Sequence, residues 1–347
     1  MKFHIYGDDG ASIRGWIVSD NPVESSVIQI VVPGREIVEL VCGDFFEPIL
    51  DLGWHANGKC GFVIDGSVLP GIEDEREIVV LELKTKFNIY RRFRPGRNLK
   101  KKIMLFDASL LPQRRFYKRF ADFFSVQYNF TESIPFETLI HVVQNEFPSS
   151  KILTGRPSFH RHGANMKLWD FTILALLRAP FEELAERLIV LNSLAKSDSA
   201  GPVKLLAHGV APLLDFARGF PFDDARAMAG AFRRASSEQR ELLRDPFTRL
   251  FGCDLNESPG RDTVTRALHN LATIDVVGVR DNFGAFKRMA SDIVGEDIFG
   301  AQELTTPSNV ADLARRLSRV RGVRGLLEND LILYSYVEEA VRVGLRA

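Results

Sequence analysis

The spacing of hydrophobic residues in this 347-residue chain changes character near residue 90. Before that point, short runs of β-forming residues are separated by turn signals such as Pro33-Gly34 and Asn57-Gly58. Regularly spaced short strands with turns between them predict an antiparallel sandwich. The runs that we predict as strands are 2–6, 12–19, 26–32, 35–42, 59–65 and 76–83. Residues 1–90 are therefore predicted to form a small all-β sandwich.

After residue 98 the pattern alternates between compact apolar runs and helical periodicity. The run FTILALL (171–177) is apolar throughout, which is typical of a strand buried on both faces of a parallel sheet. Further strands are predicted at 102–107, 151–155 and 273–279, and helices at 114–124, 136–147, 181–195, 210–218, 222–235, 237–250, 262–272, 281–294, 308–318 and 326–343. Strands alternating with helices predict an α/β domain over residues 98–347.

A basic segment joins the two patterns. Residues 88–102 contain seven Lys or Arg and no acidic residue, with Pro95-Gly96 in the middle. We place the domain boundary here, with 91–97 as a basic linker. A solvated linker is the simpler interpretation, and a patch for a polyanionic glycan or membrane surface is the alternative.

Charge and composition exclude several classes of protein. Lys plus Arg and Asp plus Glu number 45 each, so net charge provides no attraction to nucleic acid. The three cysteines are too few and too scattered for a disulfide framework or a zinc site, which suits a reducing compartment. No apolar stretch approaches the roughly 20 residues that span a bilayer, and the charged N-terminus does not resemble a signal peptide. We expect a cytoplasmic protein without a transmembrane segment or a metal.

One phosphate-loop match is misleading. Residues 53–60 fit G-x-x-x-x-G-K but end in Cys60 where Ser or Thr is needed. The match precedes a predicted strand, so no helix N-terminus is available to hold an anion. We expect Lys59 to have no part in nucleotide binding.

A series of short motifs follows in the second domain. A strand, loop and helix (102–124) lead to a strand ending Leu-Thr-Gly at 153–155 and to a strand ending Leu-Arg-Ala-Pro at 177–180. Val277-Gly278-Val279 and a terminal helix with Asn329, Leu333 and Tyr334 complete the series. In order and spacing these motifs resemble the carbohydrate sulfotransferase family, and the resemblance covers about residues 100–347.

The resemblance implies a sulfotransferase-like parallel sheet with flanking helices and a defined chemistry. Family members transfer a sulfuryl group from 3′-phosphoadenosine 5′-phosphosulfate (PAPS) to a sugar hydroxyl. Such an in-line displacement needs positioning, cations and a base rather than a metal. The resemblance implies PAPS as cofactor and a carbohydrate or glycoconjugate as partner. It places Ser109 and Arg178 at the donor site, and His160 or His162 as the base, in a loop after the Leu-Thr-Gly strand. Arg114 and Arg115, at the N-terminus of the following helix, would partly compensate there for a missing Lys.

Several positions depart from the family pattern. Ser109 stands where the family has its Lys, and Pro112 where it has Gly, which removes one backbone donor. Glu186 falls where the family has a phosphate-binding Ser, and Arg156 replaces a His. These losses favour an impaired donor site and a binding or scaffolding role. An active sulfotransferase, or a transferase using another anionic donor, is the alternative.

Three groups of candidate residues also have simpler, non-functional interpretations. In these, the two histidines are surface residues, and Arg178 forms an ion pair with Glu182 or Glu183. The aromatic residues of 114–124 form a core stripe instead of a nucleic-acid platform.

The first domain has a weaker resemblance of its own. Gly15-Trp16, Asp51-Leu52-Gly53 and Gly61-Phe62 resemble a small immunoglobulin-like domain found on bacterial carbohydrate-active proteins. The resemblance implies accessory binding, to a glycan or to a protein partner. We expect Trp16 and Phe62 themselves to lie in the core. Together the two resemblances place the chain in bacterial surface-glycan biology.

Overall fold

The computed structural model describes residues 1–109, 114–196 and 209–344, without the side chains of Arg114 and Arg115. Two four-stranded antiparallel sheets come first, followed by a five-stranded parallel sheet flanked by helices. The predicted change from an all-β to an α/β pattern is confirmed.

The N-terminal region consists of two facing sheets. Its strands are β1 (Lys2–Asp8), β2 (Ile13–Val18), β3 (Val27–Val31), β4 (Val38–Val41), β5 (Asp44–Phe45), β6 (Lys59–Ile64), β7 (Val79–Glu82) and β8 (Asn88–Arg91). The sheet orders are β1-β2-β6-β5 and β4-β3-β7-β8. Alternate residues such as Phe3 in one sheet and Ile28 in the other belong to one buried cluster. All six predicted strands are present, and β5 and β8 are additional.

The parallel sheet has its first strand in the centre. Its members are β9 (Lys102–Asp107), β10 (Val126–Asn129), β11 (Lys151–Gly155), β12 (Phe171–Leu177) and β13 (Val276–Val279), in the order β10-β11-β9-β12-β13. The central strands are the apolar runs that the sequence predicts. The edge strand β10 was not predicted, because VQYN is short and only Val126 and Tyr128 are buried.

Helices surround this sheet. They are α1 (Glu47–Asp51) in the first region, then α2 (Arg114–Phe123), α3 (Phe136–Gln144), α4 (Phe159–Leu168), α5 (Pro180–Ala195), α6 (Pro212–Arg218), α7 (Ala225–Arg234), α8 (Ser237–Leu243), α9 (Pro246–Gly252), α10 (Arg261–Leu271), α11 (Phe283–Val294), α12 (Ser308–Leu317), α13 (Arg321–Leu326) and α14 (Glu328–Gly344). The helix predicted over 237–250 is two helices, because Asp245 adopts a positive φ of 42° and Pro246 begins a new helix.

The sandwich and the α/β domain share one core. Helix α3 packs on β1, and the Ile5 backbone N–H donates to Asn145 Oδ1 at 3.2 Å. The rings of Phe87 and Tyr128 stack at 5.4 Å across the boundary. One contiguous hydrophobic cluster includes residues of both regions. The two regions therefore form a packed unit.

The basic segment is packed as well. Arg92 is 8% exposed and pairs with Asp8, with its Nε 2.9 Å from Oδ2. Arg91 and Arg94 pair with Glu77, and Arg97 pairs with Asp122. The arginines of this segment thus bind carboxylates of both regions, whereas residues 95–97 are exposed.

Candidate functional site

The strand order identifies a crevice at the carboxyl edge of the parallel sheet. From β9 the chain crosses to β10 on one side, whereas from β12 it crosses to β13 on the other. Open α/β sheets bind ligands outside the carboxyl ends of adjacent strands whose connections run in opposite directions. Asp107 ends β9 and Arg178 follows β12, and the two strands are paired neighbours. Both residues therefore lie at this crevice.

Arg178 is held in a buried network. Its side chain is 1% exposed, with Nε 3.2 Å from Glu182 Oε2 and Nη1 2.6 Å from Glu186 Oε2. Nη2 donates to Thr306 Oγ1 at 3.3 Å. Burial alone lowers the pKa of this guanidinium, but the neighbouring carboxylates, Glu186 first, raise it above its ordinary value. The charge of Arg178 is thus already compensated, and its predicted ion pair with Glu182 is confirmed.

Glu186 has a second cationic neighbour. Arg280, which is 7% exposed, places Nη1 3.6 Å from Glu186 Oε2. Asp281 adjoins the same group, and its pKa is raised by burial and by Glu182. Carboxyl groups are therefore at least as numerous as guanidinium groups around Arg178.

Asp107 adds another carboxyl at the end of the central strand. It is half-buried, and desolvation raises its pKa to about 7 against the opposing effects of the Ser109 N–H and the Arg280 charge. The Ser109 N–H donates to Asp107 Oδ1 at 3.1 Å. Ser109 therefore lies at the carboxyl edge of the sheet, and its backbone N–H already has an acceptor.

A cleft of about 290 Å³ opens at the same edge, where Ala108 follows β9 and Arg156 follows β11. Three arginines line it, and each pairs with a carboxylate: Arg156 with Glu132 at 3.1 Å, Arg187 with Glu183 at 3.1 Å, and Arg249 with Glu241 at 2.5 Å. Ser158 also lines the cleft, and its buried Oγ has no hydrogen-bond partner among the described residues. The described lining thus contains three paired arginines, the carboxylates Glu132 and Asp254, and a hydroxyl without a described partner, beside an apolar part.

The end of β11 requires glycine to build this wall. Gly155 has φ of 146°, and a Cβ there would lie 2.4 Å from Glu132 Oε2. Without a side chain at 155, Glu132 Oε2 accepts the Arg156 backbone N–H at 2.9 Å and Oε1 accepts the Arg156 Nη2–H at 3.1 Å. The predicted Leu-Thr-Gly motif thus positions Arg156 through a close approach of Glu132.

The two predicted histidines lie on helix α4, so the prediction that they lie in a loop is wrong. His160 is 36% exposed, and its Nε2 lies 3.3 Å from Oδ1 of Asp254, which lines the cleft. His162 is 5% exposed, and its ring centroid lies 5.1 Å from that of Phe136. Burial and the nearby Arg161 lower the pKa of His162 to about 4, so it is neutral at pH 7. Residues two apart on a helix point in different directions, so only His160 borders the cleft.

The remaining predicted donor residues are described in part. Helix α2 begins at Arg114, and the side chains of Arg114 and Arg115 lie outside the described part of the chain. Pro112 lies in residues 110–113, which are likewise outside it. The structure therefore brings Ser109, Arg178 and His160 to one edge of the sheet.

Sequence reasoning missed several residues of this edge. Asp107, Glu132, Arg249 and Asp254 line the crevice or the cleft, and Arg280 completes the network. Two of them had a local signal, since Asp107 ends a predicted strand and Arg280 directly follows Val-Gly-Val. The others come from separate elements whose proximity depends on the fold.

The other motifs singled out in the sequence lie in the core, in a strand or at a contact between helices. Trp16 and Phe62 are 7% and 2% exposed, as predicted for core residues. Lys59 begins strand β6, as expected for a misleading phosphate-loop match. Asn329 Nδ2 donates to Asp245 Oδ2 at 2.8 Å, which ties the terminal helix to α9.

Comparison of the sequence with models of known protein families and with curated proteins gives no match. Among the described residues no helix is long and apolar enough to cross a bilayer. The same residues include no group of three or more His, Cys, Asp or Glu side chains arranged around a common metal position.

Proposed function

We propose that this chain is a divergent sulfotransferase-fold protein of bacterial surface-glycan biology that binds a glycan or glycoconjugate and has an impaired PAPS site. The observation that carries the proposal is the ion pair of Arg178 with Glu182 and Glu186. The sulfotransferase resemblance assigns this arginine to a donor phosphate. Here the buried guanidinium has carboxylates where that phosphate would bind.

The electrostatics of the network support this proposal. A phosphate that contacts Arg178 would also lie close to Glu186, because Arg178 Nη1 is 2.6 Å from Glu186 Oε2. At an effective dielectric constant of about 20, two unit charges 4 Å apart interact by about 4 kcal/mol. That repulsion offsets a charge-assisted hydrogen bond to Arg, which contributes about 1.5–3 kcal/mol. We therefore expect adenosine 3′,5′-bisphosphate to bind no better than at high micromolar concentration.

The cleft beside the network supports a polar uncharged ligand such as a sugar. Its arginines are paired, so they offer N–H donors with little net charge, and Glu132 and Asp254 offer acceptors. Sugar hydroxyls both donate and accept, which suits such a lining. The three free, buried cysteines suit the reducing conditions of a cytoplasm.

One observation favours the alternative, an active sulfotransferase. Arg156, Arg187 and Arg249 converge on the cleft, and His160 pairs with Asp254 at its rim. In that function the acceptor hydroxyl oxygen would form a bond to sulfur as the bond from sulfur to the phosphate oxygen of PAPS breaks. The hydroxyl proton would pass to His160. The donor would then be held by the cleft arginines and not by Arg178.

Calorimetric titration with adenosine 3′,5′-bisphosphate tests both the impaired donor site and the active sulfotransferase. For the impaired site we expect weak binding that Glu186→Gln strengthens about tenfold or more, because one repelling charge is removed. Glu296→Gln, an exposed residue on the surface, is the control and should change nothing.

Sub-micromolar binding by the wild type would overturn the impaired site. If Glu132→Gln strengthens binding and Glu186→Gln does not, the donor occupies the cleft, and the active enzyme becomes the better description.

A further inference from the structure

A second cleft, of about 600 Å³, lies between helices α7, α8 and α13. Helix α8 and the residues after it separate it from the first cleft, because Leu242 lines the first cleft whereas Arg240 and Arg244 line the second. In the described part of the chain the two clefts share no lining residue. The second cleft is therefore a separate candidate binding site.

The second cleft has a strongly one-sided charge. Among the described residues, four arginines from three different elements line it and no carboxylate does: Arg233, Arg240, Arg244 and Arg321. The nearest described carboxylate is Glu241, with Oε2 3.9 Å from Arg244 Nη1. Glu241 is bound more closely by Arg249, at 2.5 Å. The positive charge of the cleft is thus largely uncompensated.

The arginines are also partly oriented. Arg240 donates from Nε to the Ala235 carbonyl at 3.0 Å and from Nη2 to the Arg233 carbonyl at 2.8 Å. These two bonds hold its guanidinium plane and leave Nη1 without a partner in the described part of the chain. The side chains of Arg233 and Arg321 have no ion pair or hydrogen bond among the described residues. Arg233, Arg240 and Arg321 are exposed, so solvent screens their mutual repulsion and their N–H donors are accessible to an anion.

The floor of the cleft is accessible. Phe232 and Leu326 form its apolar part, and Gly322 and Gly325 line it from helix α13. A Cβ at either glycine would meet no atom within 4 Å. A ligand can therefore approach the backbone of α13 while its anionic groups reach the arginines.

We propose that this cleft binds a ligand carrying two or more phosphate or sulfate groups. Guanidinium groups recognise the oxygens of phosphate and sulfate through paired N–H donors, and arginines from three elements can contact separate anionic groups. The inference does not depend on the proposed function, because it rests on residues outside the sulfotransferase-like site.

Titration of the full-length protein with inorganic tripolyphosphate and with sucrose octasulfate, at low and at physiological salt, tests the proposal. We expect at least one probe to bind in the micromolar range, more weakly as salt screens the charges. The double variant Arg233→Gln/Arg321→Gln should weaken that binding at least about tenfold. Arg288→Gln, an exposed arginine on α11, is the matched control and should leave it unchanged.

A second pair of variants controls for folding. Gly325→Asp places a carboxylate at the cleft and should weaken binding about tenfold, whereas Gly325→Asn, of equal size, should not. Binding of sucrose octasulfate alone would support a sulfated saccharide, and binding of tripolyphosphate alone a phosphorylated ligand. No binding, an equal loss in Arg288→Gln, or a clear preference for a single-stranded oligonucleotide over both probes would overturn the proposal.

Discussion

Asp330 is a carboxyl group whose protonation depends on the fold. It is 0% exposed and accepts the backbone N–H groups of Phe247 at 2.9 Å and Thr248 at 2.7 Å. Burial and the nearby Asp245 raise its pKa from 3.8 to about 7. Between these two values the folded chain holds a proton that the unfolded chain has lost. This contribution to stability is therefore complete below pH 3.8 and is lost as the pH rises through about 7.

Asp330→Asn should show this dependence. At pH 5 we expect the free energy of unfolding to fall by about 1–3 kcal/mol, because the amide group cannot accept both backbone N–H bonds. At pH 8 the difference should be smaller, since only the wild type then buries a charge. Urea denaturation at both pH values measures the difference. Asp312→Asn, at an exposed position, is the control, and a difference that is equal or larger at pH 8 would contradict the raised pKa.

At the scale of elements, the Val-Gly-Val motif is explained by packing. Strand β13 carries Gly278 directly beneath helix α11. A Cβ at Gly278 would lie 2.6 Å from the ring of Phe286. The motif that resembles a sulfotransferase segment thus sets the distance between the edge strand and its covering helix.

Gly278→Ala should destabilise the chain by about 1–3 kcal/mol, because the added methyl group forces Phe286 or the helix to move. Gly284→Ala is the matched control on α11, where a Cβ meets nothing within 4 Å. It should be neutral or stabilising by up to about 1 kcal/mol, since Ala favours the helix. Thermal or urea unfolding compares the two. Equal effects would mean that the close approach of strand and helix is relieved without cost.

At the scale of the whole molecule, the sandwich and the α/β domain are joined by a shared core. Phe87 contacts Phe3 within the sandwich and Tyr128 in the α/β sheet. The ion pairs of the basic segment extend this contact, with Arg92 bonded to Asp8 on β1. Two regions coupled in this way should unfold together.

Differential scanning calorimetry should therefore show one transition for the full chain. Phe87→Ala should lower the temperature of that single transition, with a loss of about 1–3 kcal/mol for a half-buried aromatic residue. Phe45→Ala, at a side chain that is 59% exposed, is the control and should have a small effect. Two separate transitions, with only one shifted by Phe87→Ala, would show that the regions fold independently.

Part of the candidate site could be predicted from the sequence. The motifs placed Ser109 and Arg178 at strand ends, and parallel strands bring such ends to one edge. The side chains that these residues contact could not be predicted from the sequence. Glu186 was expected beside a phosphate, whereas it neutralises Arg178 directly. The sequence does not distinguish the two histidines, whereas helix α4 places His160 at the cleft and buries His162.

The sequence by itself determined what depends on nearby residues. The apolar runs of β9 and β12, the alternation of the sandwich strands and the proline that begins α5 act over a few positions, so local pattern is sufficient. Only the tertiary structure decided the strand order, the strand β10 and the pairing of charges. Asp245 meets Asp330 across 85 positions of sequence, and Arg178 meets Thr306 across 128. Such contacts depend on how the chain crosses the sheet, and no local periodicity records that path.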